Sequence, residues 1–164
     1  MLLTAVEFWQ IILAVHIVAV VVSFGVIFAI PLLEIAGERL DQRAMPWLHR
    51  MEHELTRRLI SPGLGVVLLA GIYLASKLHM WHAFYVQWGL GASIVLGGLA
   101  GAFFSPRERK LAELAERDVA AATEDSFTWS DEYRALRSRV ALVGAIAGLL
   151  IVVTIYFMTV HTGA

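Results

Sequence analysis

Four apolar stretches, at residues 8–33, 59–76, 83–104 and 140–160, alternate along the chain with polar segments of mixed charge. Within each stretch the apolar residues run on continuously instead of alternating, the pattern of a helix surrounded by lipid rather than of a half-buried strand. A hydrocarbon core of about 30 Å takes roughly 20 helical residues to cross, so each stretch is long enough to be a span. An open sheet in lipid would leave its backbone groups unsatisfied. The pattern therefore predicts an all-α, polytopic membrane four-helix bundle, a single transmembrane domain over residues 1–164. The first stretch has no basic leader and is too long for the apolar part of a signal peptide, so it is expected to remain as a span.

Composition agrees with this reading. Of 164 residues, 59% are hydrophobic and 16% charged, against about half and a quarter in soluble domains. The absence of cysteine excludes disulfides, thiolate metal sites and a cysteine nucleophile, so any redox chemistry needs a cofactor. Nothing in the composition points to nucleic acid.

Placement of charge matters more than the net charge of -1. Of the 13 Lys and Arg residues, Arg39, Arg43, Arg50, Arg57 and Arg58 lie between the first two spans. Arg107, Arg109, Lys110, Arg117, Arg134, Arg137 and Arg139 lie between the last two, leaving only Lys77 in the middle connection. The positive-inside rule then makes 34–58 and 105–139 two long cytoplasmic loops and puts both termini outside. The expected location is the bacterial inner (cytoplasmic) membrane, multi-pass, with the basic residues against anionic headgroups. Trp9, Trp81, Trp88 and Tyr85 fall near the outer interface, where amphipathic rings prefer to sit.

The connections carry structure of their own. Residues 107–122 are rich in helix formers, with Leu111, Leu114 and Ala115 on one face, and read as a continuation of the third helix or a short surface helix. Thr123–Ser130 breaks that helix, and Asp131–Arg139 leads into the fourth span with arginines able to snorkel toward headgroups. Gly89, Ser93, Gly97 and Gly101 form a small-residue stripe, as do Gly144 and Gly148, and Gly63 and Gly71 share a face. Such stripes let helices approach closely, within one bundle, in a homo-oligomer or against a membrane-complex partner.

Most of the available chemistry is in the histidines. His16 lies about 12 Å inside the first span at 1.5 Å per residue. An ionisable group at that depth is a functional candidate by default: haem ligation, proton transfer or transition-metal binding, set against a structural hydrogen bond to a neighbouring helix. His49 and His53 flank Glu52 at helical spacing, either as shared metal ligands or as part of a solvated polar face. His79, His82 and His161 fall at the outer rim, as a weak metal site or simply exposed. Arg57 and Arg58 precede Ser61-Pro62-Gly63, as topological anchors or as a clamp for a carboxylate, with Ser61 able to cap a helix starting there.

The segment MEHELTRRLISPGLGVVLLAGIYL, residues 51–74, resembles the second-helix signature of the J-type protoporphyrinogen oxidases, with Met51, Glu52, Leu55, Arg57, Pro62 and Gly71 in register. His16, Gly25 and Pro31-Leu32-Leu33 are similar to the first helix of that family. The same outline is shared by copper-resistance D-type membrane proteins and by a bacterial family of four-helix membrane proteins of unknown function. The short length and long final connection look most like the last. The resemblance implies haem b ligated by His16 with Arg57 contacting a propionate; Glu52, in register with it, joins His53 and Arg58, singled out by their own spacing, as a further site candidate. Ser23 stands where the oxidases have tryptophan, and their lysine near the start of helix three and Asn-Glu-x-Pro element are missing. The resemblance therefore favours haem binding over porphyrinogen oxidation. Three readings follow: a haem-binding membrane protein, redox-active or porphyrin-related; a small transporter or metal-handling protein; and a non-catalytic accessory or assembly subunit. Helices two to four carry little polar side chain at mid-depth beyond Ser93, Thr154 and Tyr73, a poor hydrophilic path for transport.

Overall fold

The computed structural model describes residues 6–122 and 127–160. Among them there is no strand, and the helices are α1 (Phe8–Leu40), α2 (Met45–Leu55), α3 (Ser61–Lys77), α4 (Phe84–Gly98), α5 (Ser105–Ala121) and α6 (Asp131–Val160). They join into four rods long and apolar enough to cross a membrane, so the chain is a multi-pass membrane helical bundle. Val18, Leu69, Ile94 and Leu149 are among the large apolar side chains exposed on its outside. That surface is stable only against lipid.

The rods outrun the apolar stretches because the connections are themselves largely helical. α2 runs into α3 through a wide π turn, Thr56–Ile60, and α4 into α5 through a second, Leu99–Phe104. Each wide turn is followed by a Ser-Pro pair, Ser61-Pro62 and Ser105-Pro106. A proline ring inside a helix clashes with the carbonyl four residues back and supplies no N–H. Widening the preceding turn accommodates it: Ser61 N–H reaches back to Thr56 O and Ser105 N–H to Ala100 O, five residues each. The helix therefore passes through Ser61, which caps no break.

In the spanning part α1 packs along α3, α3 along α4 and α4 along α6, and α6 meets α1 more lightly. Phe24, Ile60, Leu64, Leu96, Ala100, Ala147 and Ile151 form the core at the bundle's centre. At the charged end α2 lies against α5, and the start of α6 against α5, around a second core of Leu111, Leu114, Ala115 and Tyr133. The amphipathic segments thus bury their apolar faces on one another. The turn after α5 is described only from residue 127 onward; Arg117 bonds Asp118, Ser130 and Glu132 and ties it to α6.

The small-residue stripes are used selectively. Gly63 and Gly71 both face α1, against Ser23 and His16. On α4 only Gly89 is closely approached, by Met158, while Gly97 and Gly101 have no neighbour within 4 Å of a Cβ position. The buried face of this rod runs instead through Tyr85, Gly89, Ala92, Leu96 and Ala100, so the fourfold spacing from Gly89 drifts off it. Gly144 and Gly148 make ordinary contacts with Phe104 and Phe28.

Candidate functional site

The central core divides the interior into two cavities. One, of about 550 Å³, lies toward the α3–α4 turn between α1, α3, α4 and α6. The other, of about 460 Å³, lies toward the charged end. Leu96 contributes to both, and Phe24 and Leu64 close one each.

His16 lines the first cavity. Its Nδ1 lies 3.0 Å from Val67 O. A carbonyl only accepts, so the ring proton sits on Nδ1 and Nε2 keeps its lone pair. Gly71 stands over the imidazole, where a Cβ would lie 3.5 Å from His16 Cε1. The remaining wall is almost wholly apolar, relieved by Ser93, Thr154 and Thr159. Two thioethers, Met80 and Met158, also line it. Among the described residues the lining includes no cation.

The second cavity ends in a buried polar cluster assembled from four helices. His49 is fully buried, with Nδ1 2.8 Å from Glu52 Oε2 and Nε2 2.9 Å from Tyr133 Oη. Glu34 at the end of the first apolar stretch completes a group in which one donor atom from each of Glu34, His49 and Glu52 lies within 4.8 Å of the others. Arg137 Nε is 3.5 Å from Glu34 and its Nη2 is 2.9 Å from Glu38. Alongside, Thr56, at the start of the first wide turn, donates to Glu108 Oε1 at 2.8 Å. Glu52 Oε1 and Glu108 Oε2 are buried and receive no hydrogen bond.

Burial sets the protonation of this cluster. It pushes Glu52 up to about 8, opposed by the charge of Arg137, and pushes Glu108 up to about 7 against the Thr56 hydrogen bond. It pushes His49 down to about 4 and raises Tyr133. At neutral pH His49 is uncharged and Glu52 holds a proton, so the Glu52–His49–Tyr133 chain can be written with its hydrogen bonds running in either direction. The acids bind protons in the folded state that the unfolded chain releases above about pH 4.5, so their stabilisation is lost as pH rises through 7 to 8. His49 acts oppositely, its stabilisation being lost as pH falls from 6.5 toward 4. Between pH 6.5 and 8.5 the cluster's contribution comes from its acids. In EDTA-containing buffer, with protons alone on the carboxylates, Tm is expected to fall across that interval, and Glu52→Gln to flatten the fall. An equal slope in the variant would remove Glu52 from the cause.

The sequence candidates separate in space. Arg57 is exposed at the charged end and lines neither cavity, so the structure does not bring it together with His16. Arg58, also exposed, pairs with Glu54 one turn away. His53 turns toward Ser105 and Glu108, and His49 toward Glu52 and Tyr133, so the two histidines take different partners and His49 is no part of a solvated face. His79 and His82 are exposed in the α3–α4 turn, and His161 lies outside the described residues. Trp81 is exposed, Tyr85 is buried and Trp88 donates to Thr154 at 3.1 Å, so the last two are tied into the packing of the bundle. Arg137 is drawn inward to Glu34 and Glu38 instead of reaching for headgroups.

Glu34, Thr56, Glu108, Tyr133 and Arg137 escaped sequence reasoning. The available signal was Glu34 and Glu38, one helical turn apart at the very end of an apolar span. Comparison with protein-family models, curated proteins and solved structures finds no match to this chain.

Proposed function

We propose that this chain is a haem-b-binding protein of the bacterial cytoplasmic membrane, with His16 as axial ligand and a redox or porphyrin-related role. The observation that carries the reading is His16 in the wall of the large apolar cavity with its tautomer fixed by Val67. A hydrogen bond from the far ring nitrogen is how ligating histidines are oriented and made more basic. The cavity volume lies in the range of small-molecule and cofactor sites, and the glycine at position 71 leaves room beside the imidazole. Met80 and Met158 line the same cavity and would offer a thioether to the iron, a ligand type that raises the potential. Among the described residues the lining has no cation, so Lys77, which precedes the lining residue Leu78 and is exposed, would be the counter-charge available to propionates. Bound haem supplies a one-electron centre; the chain's residues hold it, set its polarity and keep water out. The resemblance of residues 51–74 and of the His16 helix to the oxidases supports the same reading. By the positive-inside rule the charged end is cytoplasmic, with exposed arginines such as Arg39 and Arg43 against anionic headgroups.

The test is the absorption spectrum of detergent-purified protein, oxidised and dithionite-reduced, after expression with ample haem. A Soret band with reducible b-type features is expected, absent in His16→Gly and restored there by added imidazole. Gly71→Leu is expected to weaken haem retention with His16 intact, and Arg57→Ala to leave the spectrum unchanged. A folded wild type that stays colourless on haem titration would overturn the reading, as would a Soret band indifferent to His16→Gly.

A further inference from the structure

The buried cluster at the charged end has a composition that hydrogen bonding alone leaves incomplete. Glu34 from α1 and His49 and Glu52 from α2 converge so that one donor atom of each lies within 4.8 Å of the others. Glu52 is 2% exposed, and its Oε1 meets no N–H or hydroxyl donor; the neighbour left to the Glu52 carboxyl is the Glu34 carboxyl, which can bond it only through a shared proton. A buried carboxylate oxygen without a donor carries a desolvation cost that the fold normally removes. Here the fold keeps it, next to a second carboxylate.

Charge gives a second, independent argument. The groups facing the cluster are Glu34 and Glu38 from α1, His49 and Glu52 from α2, Glu108 from α5, and Tyr133 and Arg137 from α6. Arg137 is the one fixed cation among them, and it is divided between Glu34 and Glu38. Glu52 and Glu108 have no cation of their own within the cluster beyond His53, whose Nδ1 stands 4.0 Å from Glu108. A divalent ion would displace the protons that otherwise neutralise these carboxyls and would occupy the orphaned oxygen.

We propose that Glu34, His49 and Glu52 form a binding site for one divalent first-row metal ion. The donor set is two carboxylates and an imidazole, with no thiolate available in the chain. Such oxygen-rich sets with one imidazole suit Zn²⁺, Mn²⁺ or Fe²⁺ and do not suit Cu⁺. Binding through His49 Nδ1, the nitrogen next to Glu52, leaves Nε2–H to donate to Tyr133 Oη, now 2.9 Å away. That is the outer hydrogen bond which fixes a ligating imidazole. For bonds of about 2.0–2.2 Å to one ion, Glu52 Oε2, now 2.8 Å from His49 Nδ1, has to swing aside and Glu34 has to approach, which rotation of the two glutamate side chains would provide. Glu108 and Thr56 line the same cavity as Glu34 and Glu52. The site is at the opposite end of the bundle from His16 and is independent of the haem reading.

The test uses the full chain in detergent, stripped with EDTA and dialysed. Zn²⁺ is titrated calorimetrically, and Mn²⁺ is followed by electron paramagnetic resonance, in which bound and free ion differ. One ion per chain is expected, with a ligand-dependent rise in Tm. Glu52→Gln keeps shape and burial but removes an anionic donor; it and His49→Gln are expected to weaken binding by about 100-fold, at the upper end of what even outer hydrogen-bond partners contribute. Glu113→Gln, a surface carboxylate paired with Arg109, is expected to leave binding unchanged. A stripped protein that takes up no stoichiometric ion overturns the proposal and makes the cluster a proton-sharing structural network. Binding insensitive to Glu52→Gln in a variant with wild-type Tm also overturns it.

Discussion

Tyr133→Ala is expected to destabilise the protein by about 3–5 kcal/mol, the range for truncating a large buried aromatic residue. Tyr133 is 0% exposed and sits where the start of α6 meets α2 and α5. Its ring stacks on Trp129 at 4.3 Å between centroids, and its hydroxyl bonds His49. Truncation opens a cavity among Leu111, Leu114 and Ala115 and strands His49 Nε2 in a dry interior. Tyr133→Phe isolates the second effect. It keeps the ring and is expected to cost about 1–3 kcal/mol, the penalty for leaving one buried polar atom unsatisfied. Equilibrium denaturation in mixed micelles separates the two. Tyr133→Ala within about 1 kcal/mol of wild type would mean that α6 does not dock on α2 and α5 through this residue.

Gly63→Val is expected to be the most damaging single substitution in the spanning part. A Cβ at Gly63 would fall on Ser23 Oγ and lie 3.3 Å from Ser23 Cβ, and Ser23 is wholly buried. Ser23 is short and enclosed, so it cannot swing away as the Met158 methyl can at Gly89. Overpacking of a close helix pair costs typically about 1–3 kcal/mol, which applies to Gly63→Ala, and the β-branched valine exceeds it. Because Gly63 lies one turn from Val67, pushing α3 off α1 also opens the His16–Val67 bond. Ser23→Gly is expected to rescue Gly63→Ala. Gly97→Ala, with no neighbour within 4 Å, is expected to be neutral or to stabilise by up to about 1 kcal/mol through helix propensity. Tm in detergent ranks the four proteins, and equal losses at Gly63 and Gly97 would remove the steric cause.

The two cavities bear on the transport reading. The wall around His16 is apolar, and Phe24, Leu64, Leu96 and Ile151 fill the space between it and the acidic cluster. A hydrated ion meets no polar partner along that stretch, so the two sites are chemically separate in this conformation.

The number of spans, their approximate limits and the concentration of basic residues at one end are legible in the chain alone, because the cost of polar atoms in lipid is local and is written residue by residue. The sequence also singled out His16, since a lone imidazole deep in an apolar run has no local excuse. It located the contact of Gly63 and Gly71 with a neighbouring helix, because missing side chains on one face are visible at helical spacing. Which partners the polar residues take emerges only in the folded bundle. His49 and Glu52 looked like a solvated face because their burial is created by α5 and α6, whose residues lie 60–90 positions further along. The same holds for Arg57, whose separation from His16 depends on depth along a neighbouring helix, and for Gly97 and Gly101, which the geometry of α4 turns away from the core. Burial, pairing and the protonation that follows from them are properties of the assembled bundle, set by contacts between segments distant in sequence, and no local pattern encodes them.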